Sequence, residues 1–289
     1  MSVEFDRVVK ITAYRQRPAS GDSKFFEEIG NATVIEDLDV SFKIEKSLSA
    51  EPNTCEVIIT NLAERSRSEF QRRPLRVHVE AGYRESGPRL LFLGDVQPGS
   101  GSRPDGADWR TKLLLGDGWR AFSEARVNRS YKTGTPTRTI LRDVARSLGL
   151  ELPEDVATQP FVQAGIPTGE TAFGYASDEL ARLLGPFGYS FSIQNGRLQI
   201  LKDEQARSDF FVIEEDNGMI DSPEMGAPDK SGKPPSLTVK HLLYPELVPG
   251  GKIEVRSRAI NGRFKIVKTT HTGDTSGNEW ETEVEANPL

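Results

Sequence analysis

The sequence predicts a mainly β protein with a small α+β insert: two antiparallel β-barrel domains in a tandem pseudo-repeat. Three observations carry this. Most of the chain reads as short period-2 runs between turn signals. Residues 118–204 break that rhythm with two helix patterns and a hairpin. A late set of strands repeats the order and ending of an early set. The expected division is a first barrel over 1–117, an α+β domain over 118–204, linker and loop over 205–236, and a second barrel over 237–289. That last stretch is short for a barrel, so strands from elsewhere in the chain are expected to complete it.

In the first region, residues 33–46 alternate, with Val34, Leu38, Val40, Phe42 and Ile44 apolar. Glu56 to Thr60 is a β-branched strand. Ala63 to Phe70 are good helix formers, with Asn61 as the expected N-cap. Leu75 to Ala81 sets Val77 and Val79 against Arg76, His78 and Glu80. Leu90 to Val96 is apolar, and Thr111 to Leu115 follows a loop of Gly, Pro, Ser and Asp. Strands at this spacing suit a sandwich or barrel.

In the middle region, Thr135-Pro136 is expected to open a helix with Thr as N-cap and Pro at the first position. Ile140, Leu141, Val144, Ala145 and Leu148 share one face, and Gly149 ends it. A second helix starts near Ser177, carries Leu180, Leu183 and Leu184, and breaks at Gly185-Pro186. Tyr189 to Ile193 and Leu198 to Leu201 flank Asn195-Gly196, the strongest short hairpin signal. Residues 214–236 are polar and rich in Pro and Gly, which reads as exposed loop.

The β pattern returns in Leu237–Leu243, Lys252–Arg258, Gly262–Thr270 and Trp280–Ala286. Arg76–Glu80, Leu90–Gly94 and Trp109–Leu113 correspond in order to Lys252–Arg256, Arg263–Val267 and Trp280–Val284. Both sets end in Trp-x-Thr-x-aliphatic. Period 2 puts Trp109, Thr111 and Leu113 on one strand face, and Trp280, Thr282 and Val284 likewise. Three copies of a chain with two similar barrels would present six similar units.

Composition removes several classes. The chain has 289 residues, with 43 acids against 37 Lys and Arg and a net charge of −6. Apolar residues are 36%, and the mean hydropathy is −0.48. No apolar stretch approaches the ~18 residues of a membrane span. The start, MSVEFDRVVK, lacks the apolar core of a secretory signal. The acidic balance argues against coating DNA, which needs a basic patch. Cys55, the single cysteine, excludes an internal disulfide and reads as a packed thiol in a strand. A chain folded in a reducing cytoplasm is expected.

No motif specifies chemistry. Gly116-Asp-Gly118-Trp-Arg-Ala121 has the dinucleotide fingerprint spacing, but a capped helix follows where a second strand is required. A turn leaving a strand is the expected reading. His78, His241 and His271 are dispersed, without a nucleophile elbow or a zinc-protease motif, and read as structural. Asp274, Ser276 and Asn278 are spaced like calcium ligands, but the glycine falls at the fourth place rather than the sixth. A hairpin loop whose Asp and Asn bond the backbone fits better. Acids are plentiful, yet no pair sits in an aromatic-lined context suited to glycoside hydrolysis. Trp109, Trp119 and Trp280 read as core anchors, and Glu214-Glu215-Asp216 as a solvated loop. No catalytic, cofactor-binding or metal-binding residue and no cofactor is expected.

Several segments together resemble phage baseplate hub proteins, the tail-tip components of bacteriophages and related contractile particles. The C-terminal set is Leu242-Leu-Tyr-Pro-Glu-Leu-Val-Pro-Gly-Gly251, Ile260-Asn-Gly262, Lys268-Thr-Thr-His-Thr-Gly-Asp274, Gly277-Asn-Glu-Trp280 and Glu283-Val-Glu-Ala286. Lys46 to Thr54 with Ile59-Thr-Asn-Leu62 resembles the segment ahead of the family's first barrel meander. Ala81-Gly-Tyr83 and Phe92-Leu-Gly94 resemble its tube-type domain. Gly134 to Thr137, Leu148-Gly-Leu150 and Gln194 to Leu198 resemble its middle domain. The likeness covers most of residues 30–289; Gly250-Gly251 stands where Gly-Asp is common.

The resemblance implies two tube-like barrels per chain and a homotrimer forming a pseudo-sixfold ring. The ring would join a sixfold tail tube, or distal tail proteins, to a threefold central spike. Its channel would pass tape measure protein, and DNA only in transit. It implies no enzyme activity, no membrane binding, a place in the virion tail, and assembly in the host bacterial cytoplasm. An acidic channel would let DNA slide without sticking. Other readings are the hub of a contractile injection or secretion system, a tail-associated cell-wall hydrolase, and a carbohydrate-binding adhesin. The last would need aromatic platforms, and aromatics are only 8%.

Overall fold

The computed structural model describes residues 6–18, 26–71, 75–227 and 235–289. The first region holds β1 (Arg7–Pro18), β2 (Phe26–Ile35), β3 (Val40–Ser47), β4 (Asn53–Thr60), α1 (Glu64–Gln71), β5 (Leu75–Tyr83), β6 (Gly87–Val96), β7 (Gly101–Asp105) and β8 (Asp108–Asp117). The insert holds α2 (Trp119–Ser123), β9 (Arg126–Tyr131), α3 (Thr137–Ser147), α4 (Glu154–Ala157), α5 (Pro160–Gln163), β10 (Glu170–Tyr175), α6 (Ala176–Leu184), β11 (Tyr189–Gln194) and β12 (Arg197–Lys202). The last region holds β13 (Phe210–Glu214), β14 (Glu224–Met225), β15 (Leu237–Leu242), β16 (Lys252–Arg256), β17 (Asn261–Asp274) and β18 (Trp280–Pro288).

The mainly β class with an α+β insert holds. Fourteen strands form one sheet, whose path runs β14-β15-β18-β17-β3-β4-β8-β6-β5-β1-β2. The long strand β17 joins the two β regions. Its first part pairs with β16, and Lys268–Asp274 pairs antiparallel with Ser41–Ser47 of β3. Among the described residues the barrels are not closed, because β2 and β14 end the path. β13 is a true strand, parallel to β16, inside the 205–236 stretch read as linker. Residues 228–234 of that stretch lie outside the described residues.

Three apolar cores follow from strand parity. Val40, Phe42 and Ile44 of β3, Cys55, Val57 and Ile59 of β4, and Leu113 and Leu115 of β8 fill the first, which also takes in Leu243 and Trp280. The insert packs Ile140, Leu141, Val144 and Ala145 of α3 against Leu180 and Leu184 of α6 and the β11–β12 hairpin. Ile213, Val239, Ile253, Val255 and Val284 build the third. In α3 the Leu150 amide donates to Ala145 O and the Gly149 amide to Arg146 O, with Gly149 at φ 74. This is the Schellman end that the glycine predicts.

Local expectations fail where side chains find other partners. The 33–46 alternation is two strands: Asp37 at φ 57 breaks it, so Val34 is exposed and Ile35 is buried. Asn61 does not cap α1. It sits at φ 54, its Oδ1 accepts from the Trp109 amide at 3.0 Å, and its Nδ2 donates to Asp108 Oδ1 at 2.8 Å. Thr135 does not cap α3. Pro136 is the N-cap, and the Thr135 hydroxyl donates to Lys132 O at 2.7 Å. Residues 126–131 and 170–175 carry no clean alternation, yet they form the antiparallel pair β9–β10.

Candidate functional site: a polar junction and an ion-laced sheet face

The pairing registers decide what meets across the sheet. His241 of β15 pairs with Thr282 of β18, which pairs with His271 of β17, which pairs with Ile44 of β3. One buried row thus brings two of the three histidines two strands apart. The neighbouring row runs from Val284 through Thr269 to Lys46. Asn53 and Asp117, paired with each other, continue it at the ends of β4 and β8.

Here the inner face meets the tip of the β11–β12 hairpin. Asn195 at φ 50 and Gly196 at φ 72 make the tight turn, and a Cβ on Gly196 would lie 2.9 Å from Leu93 Cδ2. The turn is held from every side. Lys46 Nζ donates to Asn195 Oδ1 at 3.0 Å, and the Gly196 amide donates to Asp117 Oδ1 at 2.9 Å. Asn53 Nδ2 donates to Ile193 O at 2.8 Å and to Gln194 Oε1 at 3.0 Å, while its Oδ1 accepts from the Ser47 amide at 2.8 Å. Gln194 Nε2 donates to Ser47 O at 2.7 Å. At the far end of the hairpin, Lys265 Nζ donates to Lys202 O and Asp203 O at 3.1 and 2.9 Å. One hairpin therefore ties all three cores together.

Burial controls the charges. Lys46 is 1% exposed, and desolvation pushes its amine down to about 8. Desolvation pushes the Asp117 carboxyl up to about 7, against the backbone hydrogen bonds that favour its charged form. Burial, with Lys46 nearby, holds His271 well below the usual imidazole range. Its Nδ1 lies 2.9 Å from Thr282 Oγ1, and its Nε2 is buried without a partner. Burial likewise pushes the Cys55 thiol up, which makes it a poor nucleophile.

The opposite side of the same strands is charged. Lys240 pairs with Glu281 at 3.1 Å, Lys268 with Glu285 at 3.0 Å, Lys43 with Glu45 at 2.8 Å and Lys112 with Glu56 at 2.8 Å. These pairs cover six adjacent strands, β15-β18-β17-β3-β4-β8. Hydrogen bonds to the glutamates raise Lys240, Lys268 and Lys43. Exposed pairs of this kind stabilise a fold little. Their effect is a surface on which both signs alternate.

The other singled-out residues have local tasks. Gly118, at φ 69, lets the start of α2 approach the hairpin, since a Cβ there would lie 2.5 Å from Ile193 Cδ1. The chain then enters β9, which pairs antiparallel with β10, so the Gly116–Ala121 turn does not open a βαβ unit. Asp274 Oδ1 accepts from the amides of Ser276 and Gly277 at 2.8 and 2.7 Å. The Arg7 guanidinium donates to the carbonyls of Asp274, Gly277 and Asn278, where a cation is thus already seated. Both ring nitrogens of His241 face carbonyls, Leu242 O at 2.6 Å and Asn217 O at 2.8 Å. The His78 ring lies 4.9 Å from Tyr14. Glu214 and Asn217 cap each other's backbone, and Glu215 pairs with Arg258 at 3.5 Å. Trp119 opens α2 half-buried. Among the described residues, no helix is long and apolar enough to cross a membrane, and no group of three or more His, Cys, Asp or Glu could hold a metal.

By sequence, no family model and no curated protein matches the chain. Solved structures do match by fold. A tail protein from Neisseria meningitidis MC58 aligns over 98% of this chain and 97% of its own, with TM-score 0.64 and 8% identity. The 43 kDa tail protein of prophage MuSo2 from Shewanella oneidensis aligns over 98% and 96%, with TM-score 0.63 and 10% identity. The E. coli c3393 protein aligns over 88% and 74%, with TM-score 0.61 and 13% identity. It is described as a component of the type VI secretion system with structural similarity to the T4 tail proteins gp27 and gp5. The chain shares its fold with these two tail proteins and with this component of the type VI secretion system.

Proposed function

We propose that this protein is a structural baseplate hub of a phage tail. Three copies form a pseudo-sixfold ring that joins a sixfold tail tube to a threefold spike. The ring surrounds the channel for tape measure protein and DNA. Its work is done by interfaces rather than by a reaction. The chain is built in the virion tail and assembled in the host bacterial cytoplasm, and none of its surface is assigned to a membrane.

One observation carries the reading: a continuous charged face spans six strands drawn from both β regions. A tube needs such a face toward its lumen, because an apolar wall would trap an unfolded protein and a basic wall would hold DNA. The face carries paired charges of both signs rather than acids alone, so the channel we propose is closer to neutral than the expected acidic one. Among the described residues β2 and β14 end the sheet, which supports ring assembly, since an edge strand offers backbone groups that a symmetric neighbour can cover. The fold neighbours support a tail role.

A second reading has its own support. The likeness to the c3393 protein, and at TM-score 0.58 to the Francisella PdpA-VgrG complex, fits the hub of a contractile secretion system. A cryo-EM map of the native particle tests both. The proposal predicts three copies around the axis, with Glu283 and Lys268 facing the channel. One copy per particle, or that face turned outward, contradicts it. An effector-loaded particle without DNA selects the second reading.

A further inference from the structure

Lys46 and Asn195 are 149 residues apart in the chain, yet Lys46 Nζ lies 3.0 Å from the Asn195 side-chain oxygen. The lysine is among the largest fully buried side chains of the protein, and its Nζ is 6.0 Å from the Phe92 ring centroid. Asp117 completes the group. Its Oδ1 is bonded to the Gly196 amide, while its Oδ2 is buried without a partner. A buried amine with a carboxamide in contact with it thus stands beside a carboxyl that has one unpartnered buried oxygen.

We propose that Lys46 and Asn195 form an autocatalytic isopeptide cross-link, with Asp117 as the proton-transfer partner. The neutral Lys46 Nζ attacks Asn195 Cγ, a new C–N bond forms, and the carbonyl electron pair moves to oxygen. When the carbonyl reforms, the Cγ–Nδ2 bond breaks and Nδ2 leaves as ammonia. The proton given up by Nζ passes through Asp117 to the departing nitrogen. The products are one secondary amide and one ammonia, so no oxidant, reductant or water is consumed.

The environment favours the reactive forms. Desolvation holds the amine near 8, so a neutral nucleophile is present at working pH. Desolvation also holds Asp117 near 7, so a carboxylic acid is present beside it. A group poised near the operating pH is suited to proton transfer. The bond would fasten β3 of the first core to the hairpin that ties the three cores, where traction along a tail would otherwise separate them.

Intact-mass measurement and peptide mapping of the full chain, after incubation near pH 8, test this. The expected mass is one ammonia below that of the sequence, with one branched peptide joining Lys46 to Asn195. K46R and N195A should show the full mass, and D117N should slow formation by about 100-fold. A full mass with unlinked Lys46 and Asn195 peptides overturns the proposal. Ammonia loss mapped to an imide at Asn195-Gly196, with Lys46 free, overturns it equally. The wild-type chain alone decides, so a variant that misfolds does not protect the idea.

Discussion

Trp109 and Trp280 end the two halves of the repeat at corresponding places, but the fold uses them differently. Trp280 is 4% exposed. It packs edge-on against Phe42 at 5.7 Å and Tyr83 at 6.4 Å, inside the core of the other β region. Trp109 is 40% exposed and lies under the Arg67 guanidinium at 4.1 Å. The same period-2 ending therefore makes a bridge at one end of the chain and a surface anchor at the other. The difference lies in the strand pairing. β18 pairs with β17 along nearly its whole length, whereas β8 meets β6 only at Asp95 and Val96 and pairs mainly with β4. Two similar strand sets are not two independent barrels. The second is fused to the first through β17, and the charged face crosses that seam without a break.

The largest effect is expected from Trp280→Ala. Loss of a buried aromatic bridging two β regions should cost about 3–5 kcal/mol, read from denaturant unfolding. A cost below about 1 kcal/mol would deny Trp280 its bridging role. Next is Asn53→Ala, which strands Gln194 and the Ser47 amide beneath the hairpin. It should cost about 1–3 kcal/mol. Hydrogen exchange should then rise first in β11 and β12, and loosening elsewhere would place the tie in the wrong region.

A pH effect follows in size. His271 is neutral in the folded chain and titrates normally when unfolded, so the unfolded state binds more protons below about 6.5. Stability should fall as pH drops through that value. His271→Leu should flatten this acid limb, and an unchanged limb would assign it to other groups. The smallest effect is Trp109→Ala. A cation–π contact at an exposed site is worth about 0.5–1 kcal/mol. A loss as large as that of Trp280 would erase the contrast between the two.

Parity made much of the fold legible. Val40, Phe42 and Ile44, Leu75 to Ala81, and Trp280 to Val284 all bury the side that alternation assigns. The α3 face, its Gly149 end and the Asn195-Gly196 turn also follow from local chemistry that tertiary contacts do not override. Caps fared worse because a polar side chain has competing partners: Asn61 serves Trp109 and Asp108, and Thr135 serves Lys132. β13 is masked in sequence by its polar flanks, although Phe210-Phe-Val-Ile213 is itself a short strand signal. The junction was not legible at all. Lys46, Asn53, Asp117 and Asn195 converge only through strand register, and each looks like a surface residue in sequence.

The proposed function requires a ring of three chains, whose β regions joined through β17 supply six similar units. Mass photometry of the purified chain tests it most directly. A trimeric hub gives a species at three times the 32.0 kDa chain mass, increasing with concentration. A chain that stays monomeric at every concentration, and in the assembled particle, would contradict it.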